Sequence, residues 1–134
     1  MRRRLQRGIF LLQSVTAMAL FSVGALAVLM LSASAKRQSA DAHYRTVASV
    51  LVADLTARMR LGPRDAGALA AFYGEKGAGA ALFSKDAALA LPGVAGNPPA
   101  IAIDAQGGVV ITVRWQPPGA TSAHRYVAVT RIAN

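Results

Sequence analysis

Residues 9–35 read IFLLQSVTAMALFSVGALAVLMLSASA, a stretch of 27 residues that contains no charged side chain. As an α-helix it would be about 40 Å long, which is more than the hydrocarbon thickness of a bilayer, so a tilted or projecting span is expected. Four arginines precede it within residues 2–7, whereas Lys36 and Arg37 follow it. This asymmetry predicts a single pass through a membrane, with a cytoplasmic N-terminus and an exported C-terminal part.

Three fates are open for this apolar stretch. Ala33, Ser34 and Ala35 fit the small-x-small pattern that signal peptidase recognises, so cleavage after Ala35 would release a small periplasmic protein. However, the stretch is roughly twice as long as the about 7–15 apolar residues of an ordinary secretory signal. The segment could also stay as a plain signal anchor. A third fate is cleavage before the apolar stretch, directly after Gly8, which would remove the basic residues and leave the apolar helix in place.

The helical pattern continues through residues 36–61, now with one apolar face. No glycine or proline interrupts residues 25–61, and Gly62-Pro63 ends the pattern. The sequence therefore predicts one long helix from Ile9 to Leu61, apolar in its first half and amphipathic in its second. The predicted buried positions recur with helical spacing: Tyr44, Val47, Ala48, Leu51, Leu55 and Met59.

Residues 62–99 are rich in alanine and glycine. They predict a short helix near Asp65–Phe72, followed by a loosely ordered connection in which Gly74, Gly77 and Gly79 are loop residues. The connection is expected to be held by four apolar anchors: Leu82, Phe83, Leu89 and Leu91.

Residues 100–134 carry strand signals in sequence. AIAID (100–104), VVITVRWQ (109–116) and HRYVAVTRIA (124–133) are separated by the turn segments AQGG and PPGATSA, which predicts a three-stranded antiparallel meander. Period-two alternation places Val109, Ile111, Val113 and Trp115 on one face of the middle strand. With Arg114, Arg125 and Arg131 outward, Trp115 and Tyr126 face the helix. The fold class predicted is α+β, a long helix packed on a small C-terminal meander.

Composition and charge disfavour other function classes. The net charge of +9 includes four arginines at the membrane flank, and the remaining excess of about +5 forms no basic stripe, which argues against nucleic-acid binding. The chain has no cysteine and only two histidines, so no metal site is expected. No nucleophile, base and orienting residue are brought together by the pattern, and no phosphate-binding glycine motif or carboxylate cluster is present, so no catalytic residue or cofactor is expected. His43 and His124 are expected at or near the surface, and Asp104 is expected to accept backbone hydrogen bonds beside the hairpin turn. Asp54 and Arg58 are spaced for a helix surface ion pair.

The basic residues 1–8, ending in Gly8, followed at once by an uncharged helix, resemble the N-terminus of type IV prepilins. The resemblance implies that a prepilin peptidase removes residues 1–8, cutting between Gly8 and Ile9, and methylates the new amine of Ile9. The fifth mature position, usually glutamate in that family, is Gln13 here. Gln13 retains a hydrogen-bonding group for a neighbouring subunit's amine but lacks the charge, which favours a rare subunit near the tip. Gly24 is a second expected packing position.

Two longer segments, LFSVGALAVLMLSASAK (20–36) and YRTVASVLVADLTARMRLGP (44–63), resemble the PilV-type minor pilins, also described as type IV pilus modification proteins. Near its end, the second of these segments carries the Asp-x-x-x-Arg-Met-Arg pattern of that family as Asp54, Arg58, Met59 and Arg60. The resemblance implies a subunit that waits in the inner membrane, then joins other minor pilins and the major pilin to prime or enter a pilus at the cell surface. A minor pseudopilin of a type II secretion system, with the same architecture, stays open as an alternative.

Overall fold

The computed structural model describes the backbone of residues 2–132 and the side chains of residues 9–132. The chain divides into two compact units, Met1–Ala40 and Asp41–Asn134. Helix α1, Arg2–Leu61, contributes to both units. The predicted end of the long helix at Leu61 is therefore confirmed. The side chains of residues 1–8, including the predicted cleavage position Gly8, lie outside the described residues.

The part of α1 in the second unit buries one face. Ala48, Val52, Leu55 and Met59 are buried there, and Tyr44, Val47 and Leu51 pack against them. The predicted amphipathic pattern is confirmed, with Val52 as an additional core residue. After Leu61 the helix closes with a bond from the Gly62 amide to the Met59 carbonyl (3.2 Å), and the next residue, Pro63, has no amide hydrogen to continue the ladder.

Residues 62–99 contain more helix than predicted. Helix α2, Ala66–Tyr73, confirms the expected short helix, and the Asp65 carboxylate caps it by accepting a bond from the Ala68 amide (2.9 Å). The prediction of a loosely ordered connection is wrong for helix α3, Ala78–Ala90, and for the 3-10 turn Val94–Gly96. The alanines of α3 favour helix, but the helix is completed by burying Gly79, Phe83 and Ala87 on one face.

Two of the four predicted anchors of this segment are correct. Phe83 and Leu91 are buried in the core, whereas Leu82 and Leu89 are exposed. The predictions for Leu82 and Leu89 are wrong because, in α3, both lie roughly 100° or more around the helix axis from Phe83. Gly74 and Gly77 flank the helices as caps, and Gly79 is helical rather than a loop residue.

The C-terminal part forms the predicted meander of strands β1 (Ala100–Ile103), β2 (Gly108–Trp115) and β3 (His124–Arg131), in the order β1-β2-β3. Both pairings are antiparallel. Asp104 behaves as predicted, since its Oδ1 accepts bonds from the Gln106 amide (2.9 Å) and the Gly108 amide (2.7 Å) across the β1–β2 turn.

The four predicted inward residues of β2 are fully buried, which confirms the assignment of the strand faces. They meet core residues from all three helices, including Leu55 of α1, Leu69 of α2 and Phe83 of α3. The helices therefore cover one face of the sheet, an α+β arrangement in which the end of a long helix packs on a small antiparallel sheet. The opposite face carries the exposed side chains of Arg114, Arg125 and Arg131, as predicted.

Candidate assembly surfaces

The first candidate surface is the apolar helix surface, defined as the side chains of residues 9–35 on α1. Every one of them is exposed, including Phe10 at 75% and Phe21 at 79%. By length and composition this helix is able to cross a membrane, and its most apolar window has no buried residue. Large aliphatic and aromatic side chains exposed along so many turns are costly in water. This surface is therefore suited to contact with lipid or with other apolar helices.

Three of the five hydroxyl groups on the apolar helix surface are satisfied within the helix. Each of these three donates to a carbonyl three or four residues earlier, at 2.7–3.0 Å: Ser14 to Leu11, Thr16 to Leu12 and Ser22 to Met18. Such internal bonds remove the need for water around these polar groups. These three residues are thus compatible with a hydrocarbon environment.

The predicted packing residues share one side of the apolar helix surface. Ile9, Gln13 and Gly24 fall within an arc of about 60° around the helix axis, and Gln13 and Gly24 are separated by three turns. All three are exposed, and Gln13 makes no side-chain hydrogen bond to any residue that the structure describes. A Cβ added at Gly24 would meet nothing within 4 Å. This side of the helix is therefore open to contact with another molecule.

The second candidate surface is a groove on the unit Asp41–Asn134, with a cavity of about 230 Å³ between α1, α2 and α3. Leu55, Tyr73 and Phe83 contribute apolar walls. The close approach of α3 to α2 at Gly79 shapes this groove, because a Cβ at Gly79 would lie 2.6 Å from a ring carbon of Tyr73.

The rim of the groove carries the charged residues that sequence analysis singled out. Arg58 lies 2.7 Å from Asp54, as the i,i+4 spacing predicts, and more than half of each side chain is exposed. A pair this exposed contributes only about 0.3–0.5 kcal/mol. Asp86 also lines the rim. Met59 is buried in the core and Arg60 is exposed, so the matched segment 54–60 plays a structural part in this unit.

One polar contact joins residues that no sequence pattern links. His124 Nδ1 lies 3.1 Å from Asp41 Oδ1, and its ring lies 5.9 Å from the ring of Trp115. His124 is half-buried, which fits the expected position near the surface, but its contact with Asp41 was not predicted. The two atoms are close enough for an ion pair but not aligned as a hydrogen bond, so Asp41 Oδ1 and also the buried Trp115 Nε1 make no hydrogen bond to a described residue. No local pattern links residues 41 and 124, because only the packing of α1 against β3 brings them together.

His43 is exposed and its ring lies 5.8 Å from that of Tyr44, in agreement with a surface position. Within the described residues, no group of three or more His, Cys, Asp or Glu side chains is arranged to hold a metal ion. The polar contacts found here position helices and turns.

Comparisons of the chain with family models, with curated proteins and with solved structures give no significant match.

Proposed function

We propose that this chain is a PilV-like minor pilin that enters a type IV pilus or primes its assembly, near the tip of the filament. The observation that carries the proposal is the wholly exposed, uncharged segment 9–35 of α1. The last turns of the same helix supply core residues to an α+β unit. A membrane-stored subunit needs this combination, because the same apolar surface must suit lipid first and neighbouring helices afterwards.

The proposed mechanism is helix packing without chemistry. In lipid, helices gain little from burying apolar surface, so association depends on close packing and on polar contacts. Gly24 supplies a place for close approach, and the side-chain amide of Gln13, on the same side of the helix, supplies a donor and an acceptor. In the proposed complex, Gln13 accepts a hydrogen bond from the methylated amine of Ile9 in another subunit.

The maturation of the chain tests this proposal directly. We expect the natively expressed protein to begin at Ile9 and to carry one added methyl group, about 14 Da, after removal of residues 1–8 by a prepilin peptidase. Intact-mass spectrometry of the membrane fraction measures both features. A mature chain that begins at Lys36, or one that keeps residues 1–8, contradicts the proposal.

One observation favours a second candidate function, a small periplasmic protein released after Ala35. The second compact unit begins at Asp41, so the core of the domain holds no residue from the apolar stretch. The same mass measurement separates the two candidates, because release leaves Lys36 as the first residue and the protein in the soluble periplasmic fraction.

A minor pseudopilin of a type II secretion system would mature in the same way. Deletion of the gene separates the two machines, since the pilin proposal expects a loss of surface pili with protein secretion retained. The opposite phenotype would assign the chain to the secretion system.

A further inference from the structure

The sheet face that points away from the helices is uncovered by any element the structure describes. We define the arginine–valine face as the outward side chains of β2 and β3. Val129 is 75% exposed and Val127 is 46% exposed. The members of the face are Val110, Thr112, Arg114, Arg125, Val127, Val129 and Arg131.

All the charge on this face has one sign. The three strands contain no Asp or Glu, and within the described residues neither Arg114 nor Arg125 has a carboxylate within 4.0 Å. Asp104, at the adjoining turn, uses Oδ1 to accept hydrogen bonds from the backbone amides of the turn. An anion that reaches this face would therefore meet arginines whose charge is not neutralised by the sheet itself.

Arg114 and Arg125 occupy opposite positions in the β2–β3 register. Like charges directly opposite each other on one face destabilise a sheet. A carboxylate placed between the two guanidinium groups would remove this repulsion and could accept paired N–H bonds.

The spacing of the arginines and valines along β3 defines the length and character of a ligand that would fit this face. Arg125, Val127, Val129 and Arg131 alternate along the exposed side of the strand, so the two arginines lie about 20 Å apart with both valines between them. Val110 lies opposite Val129 and widens the apolar part. The face thus presents positive charge, an apolar centre and positive charge again, over the length of one extended segment.

We propose that the arginine–valine face binds an extended acidic segment of a partner protein, with carboxylates at both ends and apolar side chains between. The valines favour a peptide over a phosphate backbone, because apolar side chains of the segment would bury them on binding. The inference is independent of the maturation of the N-terminus and would hold for any of the functions considered above.

A designed peptide tests the proposal with the full chain in neutral detergent micelles. The probe is a fluorescein-labelled peptide of about seven residues, matched in length to β3 between its arginines, with glutamate at both ends and alternating threonine and valine between. We expect saturable binding by fluorescence anisotropy. The double substitution Arg114→Gln with Arg125→Gln should weaken binding by about tenfold or more. The thermal midpoint of this variant should be unchanged or raised, because the repulsion is removed.

The matched control removes the same charge elsewhere. Arg60 and Arg64 are exposed and lie outside the sheet, so Arg60→Gln with Arg64→Gln should leave binding within about twofold of the wild type. The proposal is overturned if the wild-type chain does not bind the peptide, if both double variants lose affinity equally, or if a glutamine-ended peptide binds as well. Displacement of the peptide by bicelles that contain phosphatidylglycerol would assign the face to anionic lipid and would also overturn it.

Discussion

The Nδ1 atom of His124 lies 3.1 Å from Oδ1 of Asp41, and this contact joins the first residue of β3 to the first turn of α1 that belongs to the compact unit Asp41–Asn134. The imidazole also lies beside the ring of Trp115 at the end of β2. The contact therefore ties the start of the domain helix to the end of the sheet.

A double-mutant cycle should detect this contact. We expect Asp41→Ala and His124→Ala to show a coupling energy of about 0.5 kcal/mol, because both side chains are about one-third exposed and the interaction is partly screened. Urea unfolding of the full chain in micelles, followed by the fluorescence of the single tryptophan, Trp115, measures it. Asp54 and Arg58 provide a more exposed comparison pair. Additive effects of Asp41→Ala and His124→Ala would show that the contact is not energetically significant.

The substitution Gly79→Ala should destabilise the domain by about 1–3 kcal/mol, because the new methyl group would overlap the rings of Tyr73 and Phe72 and force α3 away from α2. Urea unfolding measures the loss. Gly96→Ala is the matched control, since a Cβ at Gly96 meets nothing within 4 Å, and its effect should stay within about 0.5 kcal/mol. Equal effects at Gly79 and Gly96 would contradict the close approach of α2 and α3.

The stability of the β1–β2 turn should depend on one carboxylate oxygen, Oδ1 of Asp104. Asp104→Ala removes the acceptor of the Gln106 and Gly108 amides, and we expect a loss of about 1–2 kcal/mol in the free energy of unfolding. Asp104→Asn keeps an acceptor oxygen at the same place and should recover most of this loss. If Asp104→Asn is as destabilising as Asp104→Ala, charge or sheet geometry rather than acceptance by Oδ1 matters at this position.

Processing at Gly8 should tolerate only the smallest side chains, if a peptidase has to accommodate the residue before the cut. We expect Gly8→Ala to mature and Gly8→Val to retain residues 1–8, with the difference visible by intact-mass spectrometry of membrane fractions. Complete maturation of Gly8→Val would count against the prepilin interpretation.

Packing on the apolar helix surface should depend on the side that carries Gln13 and Gly24. Gly24→Leu places a large side chain on that side and should lower the amount of the chain recovered in sheared pili severalfold, because it prevents close approach of a neighbouring helix. Ala19→Leu makes a similar enlargement about 140° away around the helix and should have a smaller effect. Immunoblots of sheared and membrane fractions measure both variants, and equal incorporation would rule out this side as the packing face.

Local patterns account for what was predictable in this chain. The uncharged run, the amphipathic spacing up to Met59 and the stop at Gly62-Pro63 each act through neighbours in the same helix, so the sequence alone predicts α1. Period-two alternation predicts the buried face of β2 for the same reason. For the candidate surfaces, the shared side of Gln13 and Gly24 and the Asp54–Arg58 pair also follow from helical spacing.

The missed features depend on contacts between distant segments. The alanine- and glycine-rich stretch after Gly77 lacks a decisive local signal, and α3 exists because Phe83 and Ala87 find a core to enter while Leu82 and Leu89 remain outside. The Asp41–His124 contact and the opposed arginines of β2 and β3 likewise depend on chain pairing. By itself the sequence determined the long helix, the short helix α2 and the three strands, together with the apolar faces of α1 and β2. Only the tertiary structure decided which faces are covered and which side chains meet, because burial and long-range pairing are properties of the packed chain.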